Sequence, residues 1–264
     1  MYTAQTLRQG LKTRRFGSKI YTFETIDSTN SCARALAACW AQEGTVIIAE
    51  HQTGGRGRMG RTWSANPLEN LTFSVILRPT APAEEVNLLP LYVGVAVADA
   101  VTRVTGLEVR CKWPNDLLIG GLKVAGILLE GSLKESSIDY VVIGIGLNVN
   151  QRTFPPELAG KATSLALQSG HDYDREELFR EIMRSLESRY RAMLKNGFGG
   201  IIPLWVERSR IVGRRVSISQ NGTVLTGTVK GLSVHGGLIM EHDGVEQVLL
   251  AGDVSILDTE QVAH

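Results

Sequence analysis

Residues 107–130 read LEVRCKWPNDLLIGGLKVAGILLE, and this stretch indicates the strands of a central β-sheet. Its apolar runs predict one strand that begins at Leu107, a second over 117–119 and a third over 122–130. The Gly120-Gly121 pair between the second and third strands is typical of a tight turn. We therefore expect at least three neighbouring strands here, with the polar KWPND residues where the first strand ends.

The chain on the N-terminal side of this stretch mixes helices and strands. The sequence Asp27-Ser28-Thr29-Asn30 offers helix N-caps, and the Ala/Leu-rich residues after it predict a helix to Glu43. Short apolar runs predict strands over 45–50 and 70–78, and residues 84–105 predict a mostly buried helix.

The chain on the C-terminal side first continues the sheet and then changes character. An apolar run predicts a strand over 140–149, and an amphipathic helix is expected to begin after Asp174 and to end near Lys195. From Gly213 onward, short β runs alternate with Asn-Gly, Gly-Gly and Asp-Gly turns, which predicts a small β-barrel of about five strands. Because helices and strands do not follow a strict βαβ order, the sequence favours an α+β or mixed α/β fold.

The composition excludes several function classes. The chain has 264 residues, of which 43% are hydrophobic and 21% charged, as in an ordinary soluble globular protein. With 28 basic and 27 acidic side chains the net charge is +1, so no chain-wide field attracts nucleic acid or a membrane. Three cysteines without a CxxC pair indicate neither a disulfide framework nor a zinc site. No apolar run is long enough to span a bilayer and no secretory signal is recognisable, so we expect a cytoplasmic protein.

A glycine-rich segment over 51–67, called the flap below, is interpreted as an anion-binding loop. Its residues 55–60 formally match the GxGxxG dinucleotide motif, but no helix is predicted directly after them. The glycines let the backbone approach a ligand closely, and three arginines at positions 56, 58 and 61 carry guanidinium groups suited to phosphate or carboxylate. An exposed basic hairpin and an Arg-Gly segment that binds RNA remain as alternatives.

The residues Lys112-Trp113-Pro114-Asn115-Asp116 and the nearby Lys123 form a second candidate site. Two lysines, an amide and a carboxylate at the ends of neighbouring strands suit a triphosphate and its metal ion. The alternative is that the lysines are solvated edge residues and Asn115-Asp116 an ordinary turn. A Walker A sequence is absent, and no Ser/His/Asp or Cys/His nucleophile arrangement is recognisable.

Five motifs together resemble those of the bacterial biotin–protein ligases, in the same order and at matching spacing. They are Asp27-Ser28-Thr29-Asn30, residues 55–63 (GRGRMGRTW), 112–116 (KWPND), 123–128 (KVAGIL) and 144–150 (GIGLNVN). The resemblance covers roughly residues 20–257. It implies an α+β fold, namely the class II aminoacyl-tRNA synthetase-like mixed sheet with helices, followed by a small SH3-like β-barrel. It also implies an N-terminal extension over 1–20, a biotin/ATP-binding catalytic domain over 21–210 and an SH3-like C-terminal domain over 211–264.

The resemblance implies a reaction and a set of site residues. Biotin and ATP would give biotinyl-5′-AMP and pyrophosphate, and biotin would then pass to a lysine of the biotin carboxyl carrier protein of acetyl-CoA carboxylase or of a related carboxylase. The implied biotin-binding residues are Ser28, Thr29, Asn30, Gln52, Gly55, Arg56, Arg58, Lys123 and Gly126. The implied ATP-binding residues are Arg58, Arg61, Trp63, Lys112, Asn115, Asp116, Lys123 and Asn148. Of these, Lys123 and Arg58 would be catalytic, and Asp116 would help to hold Mg²⁺.

Several alternatives and details stay open at this point. A lipoate or octanoate ligase or transferase of the same fold is the nearest alternative, and an RNA-binding module is a more distant one. Only 26 residues precede Asp27, too few for a winged DNA-binding domain, so we expect no DNA binding, while a homodimer is compatible with the resemblance. Barrel cations are expected to reach the outer phosphates or the carrier, namely Arg214, Arg215 and Lys230. Packing roles are expected for Cys32, Cys39, Cys111, Trp40 and Trp205.

Overall fold

The computed structural model describes residues 1–134, 137–220 and 223–257, and its largest element is a seven-stranded mixed sheet. Its strands are β1 (Ile20–Ile26), β2 (Val46–Gln52), β3 (Leu71–Leu77), β4 (Arg110–Lys112), β5 (Asp116–Ile119), β6 (Leu122–Lys134) and β7 (Ser137–Leu147). Their order in the sheet is β1-β2-β3-β7-β6-β5-β4, and only β1 and β2 run parallel. The sheet is therefore mixed, as the resemblance implied.

The strands predicted from the opening stretch are present with shifted ends. The first begins at Arg110 instead of Leu107, and the third continues to Lys134 because it pairs with β7 from Ala125 to Lys134. The Gly120-Gly121 turn joins β5 to β6, and both glycines have a positive φ, the backbone region that glycine adopts without strain.

Six α-helices occur in the described part of the chain. They are α1 (Ala4–Arg8), α2 (Thr29–Ala38), α3 (Leu89–Thr105), α4 (Leu165–Ser169), α5 (Arg175–Asn196) and α6 (Ile201–Ser209). The predicted N-cap of α5 is confirmed, because the Asp174 side chain accepts hydrogen bonds from the backbone of Glu176 and Glu177. The segment before β1 belongs to the same body, since Leu7 of α1 is fully buried and α1 packs against α5.

Helix α3 is the central core helix. It contacts α5, α6 and strands β4, β5 and β6, and most of its residues are buried. The segment Glu84–Thr105 is long and apolar enough to cross a membrane by length and composition, but 67% of its most apolar window is buried inside the protein. An apolar helix whose surface is already buried in the core of its own protein is typical of a folded domain.

Helix α2 ends earlier than predicted, and the prediction that Trp40 packs in the core was wrong. The helix stops at Ala38 because Trp40 adopts a left-handed backbone conformation with φ 62°, which leaves its side chain 78% exposed. Arg78 binds carbonyl groups at and just after the helix end: its Nη2 donates to the Ala37 carbonyl at 2.6 Å and its Nε to the Ala41 carbonyl at 3.2 Å. Trp205, in contrast, is buried as predicted.

The C-terminal region forms a separate antiparallel sheet, as the short β runs predicted. Its strands are β8 (Arg215–Gln220), β9 (Thr223–Leu232), β10 (Leu238–His242), β11 (Val245–Leu249) and β12 (Asp253–Ile256), in the order β11-β10-β9-β8-β12. Its apolar residues, such as Ile218 and Met240, belong to the same hydrophobic core as Trp113, which lies in the turn between β4 and β5 of the large sheet. Trp113 also donates from its indole Nε1 to the Gly236 carbonyl at 3.1 Å, which ties the two sheets together beside the KWPND residues.

Candidate active site

A cavity of about 590 Å³ lies between the flap, the large sheet and strand β12. Its size is within the usual range of small-molecule sites. Its walls include nearly all of the site residues predicted from the sequence, which are Ser28, Thr29, Asn30, Gln52, Arg56, Arg58, Arg61, Trp63, Lys112, Asn115, Asp116, Lys123, Gly126 and Asn148. The exception is Gly55, which is buried but does not line the cavity; a Cβ there would meet the Trp63 carbonyl oxygen at 2.4 Å.

One end of the cavity is made of buried, uncharged polar groups. Ser28 is the N-cap of α2, so Thr29 and Asn30 lie in its first turn, and all three side chains are buried. The Gln52 Oε1 atom accepts from the Thr29 backbone N–H at 2.7 Å and lies 3.0 Å from the Thr29 hydroxyl. Buried polar groups must be hydrogen-bonded to be tolerated, and here they bond to one another while still facing the cavity.

The other end of the cavity is charged. Lys123 at the start of β6 places its Nζ 2.7 Å from Oδ1 of Asp116 on the neighbouring strand β5. Asn115 is fixed by its own backbone and side chain, because Nδ2 donates to the Ile127 carbonyl at 2.7 Å and its carbonyl accepts from the Ile127 N–H at 3.0 Å. The antiparallel pairing of β5 and β6 thus brings the KWPND residues beside Lys123, as their proximity in sequence indicated.

The flap folds back on itself instead of opening a helix. Its backbone forms hydrogen bonds from Gly57 N–H to the Arg61 carbonyl at 2.7 Å and from Trp63 N–H to the Gly55 carbonyl at 3.0 Å. Only a short 3-10 turn, Arg58–Gly60, lies between these bonds. This geometry confirms that the GxGxxG match is not a dinucleotide-binding turn.

The three flap arginines are bound to three different parts of the protein. Arg56 reaches Glu130 on β6, with its Nη2 at 3.0 Å from Oε2. Arg58 donates to Oδ1 of Asn115 at 3.2 Å, and Arg61 forms an ion pair with Asp253 on β12. These contacts close the flap over the cavity, so one loop contacts the uncharged end, the charged end and the C-terminal sheet.

Trp63 lies against the sheet at the floor of the cavity because glycines make room for it. A Cβ at Gly146 of β7 would lie 2.2 Å from Cε2 of the indole, and one at Gly126 of β6 would lie 3.1 Å from its Cζ3. The ring also lies near Lys123, whose Nζ is 5.8 Å from the ring centroid. The GIGLNVN and KVAGIL motifs therefore supply flat backbone surface on which an aromatic side chain rests.

Sequence reasoning missed residues that reach the cavity from distant segments. The loop after β7 contributes Phe154, Leu158 and Lys161, and β12 contributes Asp253 and Ser255. The loop lies beside Lys123 because the Lys123 N–H donates to the Lys161 carbonyl at 2.9 Å and the Lys123 carbonyl accepts from Thr163 N–H at 2.8 Å. No local pattern could have indicated these positions, because tertiary pairing alone brings them to the site.

The cations expected from the C-terminal region do not line this cavity. Lys230 forms an ion pair with Glu241 of the neighbouring strand at 2.9 Å, and Arg214 lines a different cavity. The residues of this region that do face the site are an acid and a hydroxyl group, Asp253 and Ser255. The reason is topological: β12 is an edge strand of its sheet and lies beside the flap, whereas Lys230 is on β9, in the middle of the sheet.

No cysteine lines the cavity in the described part of the chain. Cys111 is buried in the core as predicted, and burial raises the pKa of its thiol to about 12. Cys39 is exposed at the end of α2, so its predicted packing role was wrong, and Cys32 is half-buried. Burial, followed by the nearby Asp27 carboxylate, raises the pKa of Cys32. Thiolate chemistry is therefore not part of what this cavity offers.

Comparison with known proteins gives matches along most of the chain. Residues 22–148 match the Biotin/lipoate A/B protein ligase family, and residues 211–257 match the Biotin protein ligase C terminal domain.

Two curated relatives and one solved structure illustrate the similarity. The biotin-acetyl-CoA-carboxylase ligase of Mycobacterium tuberculosis is 36% identical over 233 residues, which cover 86% of this chain and 85% of the relative. The bifunctional ligase/repressor of Bacillus spizizenii is 37% identical over 248 residues, 93% of this chain and 76% of the relative. The structure of the Aquifex aeolicus biotin protein ligase in complex with biotin and ATP superposes with a TM-score of 0.79 at 29% identity, covering 92% of this chain and 100% of that one.

Proposed function

This chain belongs to the biotin protein ligases of the biotin/lipoate A/B protein ligase family, and from that premise we propose how its cavity carries out the ligase reaction. The protein is an ATP-dependent enzyme that activates biotin and attaches it to a protein. The observation that carries the assignment of the site is the position of Lys123. Its Nζ lies 2.7 Å from Asp116 at the charged end of a cavity whose other end is uncharged and polar.

Biotin is proposed to bind at the uncharged end. Its ureido ring is neutral and presents both N–H donors and a carbonyl acceptor, so it needs neutral partners of both kinds. Thr29, Asn30 and Gln52 are such partners, and Ser28 completes the wall. A buried site that pairs all polar atoms of its ligand rejects ligands that leave those atoms unpaired, which favours biotin over the apolar chains of lipoate and octanoate.

Lys123 and Arg58 are proposed to promote the first chemical step. The biotin carboxylate attacks the α-phosphorus of ATP, a C–O–P linkage forms, and the bond to pyrophosphate breaks, which yields biotinyl-5′-AMP. Two anions must approach each other for this, and negative charge builds up on the phosphoryl oxygens in the transition state. A cation held at their meeting point offsets the repulsion and stabilises that charge without reorganising.

ATP is proposed to bind at the charged end with its adenine against Trp63. The indole lies against the sheet, and Phe154 and Leu158 of the loop after β7 line the same cavity, so an aromatic base has apolar surface available. Arg61, Lys112 and Asn115 are proposed to bind the phosphates. Asn148 offers its buried Oδ1, which has no hydrogen-bond partner among the described residues, while its Nδ2 is bonded to the Thr163 carbonyl at 3.0 Å.

Mg²⁺ is proposed to enter with ATP instead of occupying a site made by the protein alone. No group of three or more His, Cys, Asp or Glu residues that could hold a metal ion occurs in the described part of the chain. Mg²⁺ bound with a nucleotide uses one or two carboxylates together with phosphate oxygens and water, and Asp116 with the free Oδ1 of Asn148 fits that requirement. When bound, the ion would neutralise phosphate charge.

The second step is proposed to need no enzyme nucleophile. The acyl-phosphate anhydride is already activated, so the acceptor lysine attacks the carbonyl carbon of biotin directly and AMP leaves. Asp116 is engaged by Lys123 at 2.7 Å and would have to release it before it could accept the proton of the amine. The closed flap is proposed to keep water away from the anhydride until the acceptor arrives.

The acceptor is proposed to be the biotin carboxyl carrier protein of acetyl-CoA carboxylase, the enzyme named for the Mycobacterium tuberculosis relative. The protein is proposed to act in the cytoplasm, where it would have access to ATP. A homodimer stays a prediction, as does the absence of DNA binding.

The deciding experiment is ATP–pyrophosphate exchange with biotin, lipoate or octanoate as the acid. We expect radioactive pyrophosphate to enter ATP only with biotin and Mg²⁺. Labelled biotin should then appear on a purified carrier domain, and a carrier whose acceptor lysine is replaced by alanine serves as the control. Equal exchange with lipoate or octanoate would contradict the proposed recognition of the ureido ring.

A further inference from the structure

We propose that Glu130 is a positioning residue for biotin: it fixes the side-chain orientations of Asn30 and Ser74 at the uncharged end and anchors the flap above it. The inference rests on the proposed function, because it assumes that biotin occupies that end. Glu130 lies on β6, its side chain is 22% exposed, and it does not itself line the cavity. Its effect must therefore pass through the residues that it touches.

The first link is Asn30. An ionised carboxylate can only accept hydrogen bonds, and Oε2 of Glu130 lies 2.8 Å from the side-chain nitrogen of Asn30. Asn30 must therefore turn its NH₂ group toward Glu130 and its Oδ1 toward Ser74, whose hydroxyl oxygen lies 2.6 Å away. Because Oδ1 of Asn30 can only accept, the single proton of the fully buried Ser74 hydroxyl is committed to it.

The second link passes from Ser74 to the cavity. Because Ser74 has no proton left to give, it can take part in its 2.8 Å contact with the Thr29 hydroxyl only as an acceptor. The alternative acceptor for that hydroxyl is Oε1 of Gln52, at 3.0 Å. In either case the Thr29 proton stays within the network, and the oxygen of Thr29 presents only lone pairs to the cavity.

Gln52 completes the pattern with the opposite polarity. Its Oε1 is fixed by the Thr29 backbone N–H at 2.7 Å, so its Nε2 is the end that remains to donate. The cavity then presents an acceptor at Thr29 and a donor at Gln52, the two partners that a ureido N–H and a ureido carbonyl require. The carboxylate of Glu130, which can only accept hydrogen bonds, fixes the orientations of Asn30 and Ser74 in this network.

The same carboxylate also holds the flap. Oε2 of Glu130 lies 3.0 Å from Nη2 of Arg56, which also lies 3.2 Å from the Ser31 hydroxyl, and Oε1 lies 3.4 Å from Nη1 of Arg34. Glu130 is thus the point at which the flap and the polar network meet. Removing the Glu130 carboxylate should therefore loosen the flap and the polar network together.

The test compares Glu130→Ala, Glu130→Gln and Arg56→Ala with Glu24→Ala, a control that removes an exposed carboxylate on β1. Glutamine keeps an acceptor for Asn30 but loses the charge that pairs with Arg56, and Arg56→Ala removes the flap contact alone. The measurements are the biotin Kd by calorimetry and, in exchange assays, kcat at saturating biotin and the KM for ATP.

Glu130→Ala should raise the biotin Kd about 30-fold, whereas Glu130→Gln and Arg56→Ala should each raise it only about three- to fivefold, since each removes one of the two contacts. In Glu130→Ala and Glu130→Gln the kcat and the KM for ATP should change less than the biotin Kd does, because Arg58 and Arg61 keep their own contacts with Asn115 and Asp253. The Glu24→Ala variant should bind biotin as wild type does.

Three results would overturn the inference. The first is a biotin Kd in Glu130→Ala within twofold of wild type, and the second is a KM for ATP that rises as much as the biotin Kd. The third applies if Glu130→Ala does not fold: unchanged biotin binding in both Glu130→Gln and Arg56→Ala then overturns it. A wild-type protein that binds no biotin would instead refute the proposed function, so the two failures are distinguishable.

Discussion

Nζ of Lys123 lies 2.7 Å from Oδ1 of Asp116, and both residues project from adjacent antiparallel strands into the same cavity. Strands are rigid supports, so the amine has its position before any ligand arrives. A catalytic cation that must first be ordered would lose part of its effect to the conformational entropy of a long side chain. The ion pair therefore prepares Lys123 to meet the biotin carboxylate and the α-phosphate.

Replacing Lys123 by alanine should slow adenylation at least about 100-fold and raise the biotin Kd less than about tenfold, because the interaction strengthens as charge builds up at the α-phosphorus. Single-turnover formation of biotinyl-5′-AMP and calorimetric biotin binding measure the two effects. Lys134→Ala, at the far end of the same strand, is the matched control and should change neither. Parallel losses in rate and binding would contradict the proposed role.

The sequence predicted which residues of the short motifs line the cavity better than it predicted which distant segments enclose it. Thr29, Asn115 and Lys123 lie in short motifs whose local strands and helix caps determine where their side chains point. Asp253 and Phe154 reach the cavity through long-range packing, of which a single sequence carries no sign. The exposure of Trp40 was missed for a related reason. The end of α2, where the backbone turns and exposes Trp40, is bound by Arg78, which lies 38 positions after Trp40 in the chain.

Gly146→Ala should displace Trp63 and weaken ATP binding. The added Cβ would lie 2.2 Å from the indole ring, which is closer than non-bonded carbon atoms can approach, so the ring must move away from the sheet. We expect the KM for ATP to rise at least about tenfold, while the far-UV circular dichroism spectrum is retained. Gly199→Ala is the control, since a Cβ there meets nothing within 4 Å. An unchanged KM in Gly146→Ala would show that the indole does not contact the nucleotide.

The three cysteines should react with iodoacetamide in the order of their exposure. Cys39 is exposed and should be labelled first, and half-buried Cys32, whose pKa is raised by burial and Asp27, should follow. The pKa of Cys111 is about 12, so at pH 9 only about 0.1% of this thiol is thiolate even before its burial is considered. Raising the pH from 7 to 9 should therefore leave Cys111 unlabelled in the folded protein.

Mass spectrometry of pulse-labelled protein checks this order, with guanidinium-unfolded protein as the control in which all three thiols react. Labelling at Cys39 should leave exchange activity unchanged, because this residue does not line the cavity. Early labelling of Cys111 would mean that the core around α3 opens readily.

The ion pair between Arg61 and Asp253 predicts how the C-terminal sheet influences ATP binding. The two side chains are 64% and 40% exposed, and such a pair contributes about 0–1 kcal/mol, so ATP can displace Asp253 from Arg61 at little cost. Asp253→Asn removes the competing carboxylate and should lower the KM for ATP about two- to fivefold, whereas Arg61→Ala should raise it about tenfold or more. Asp243→Asn, which removes an exposed acid in a turn of the same sheet, should have no effect.

A deletion of the whole C-terminal sheet cannot decide this point, because Ile218 and Trp113 share one hydrophobic core and the loss of that core would destabilise the large sheet as well. The informative comparison is the double variant Arg61→Ala with Asp253→Asn. If Asp253 acts only by occupying Arg61, its replacement should have no further effect once Arg61 is gone, and the double variant should show the KM of Arg61→Ala. A KM for ATP that falls equally in both backgrounds would mean that Asp253 repels the phosphates directly. A KM that does not fall in either would leave the C-terminal sheet with a packing role alone.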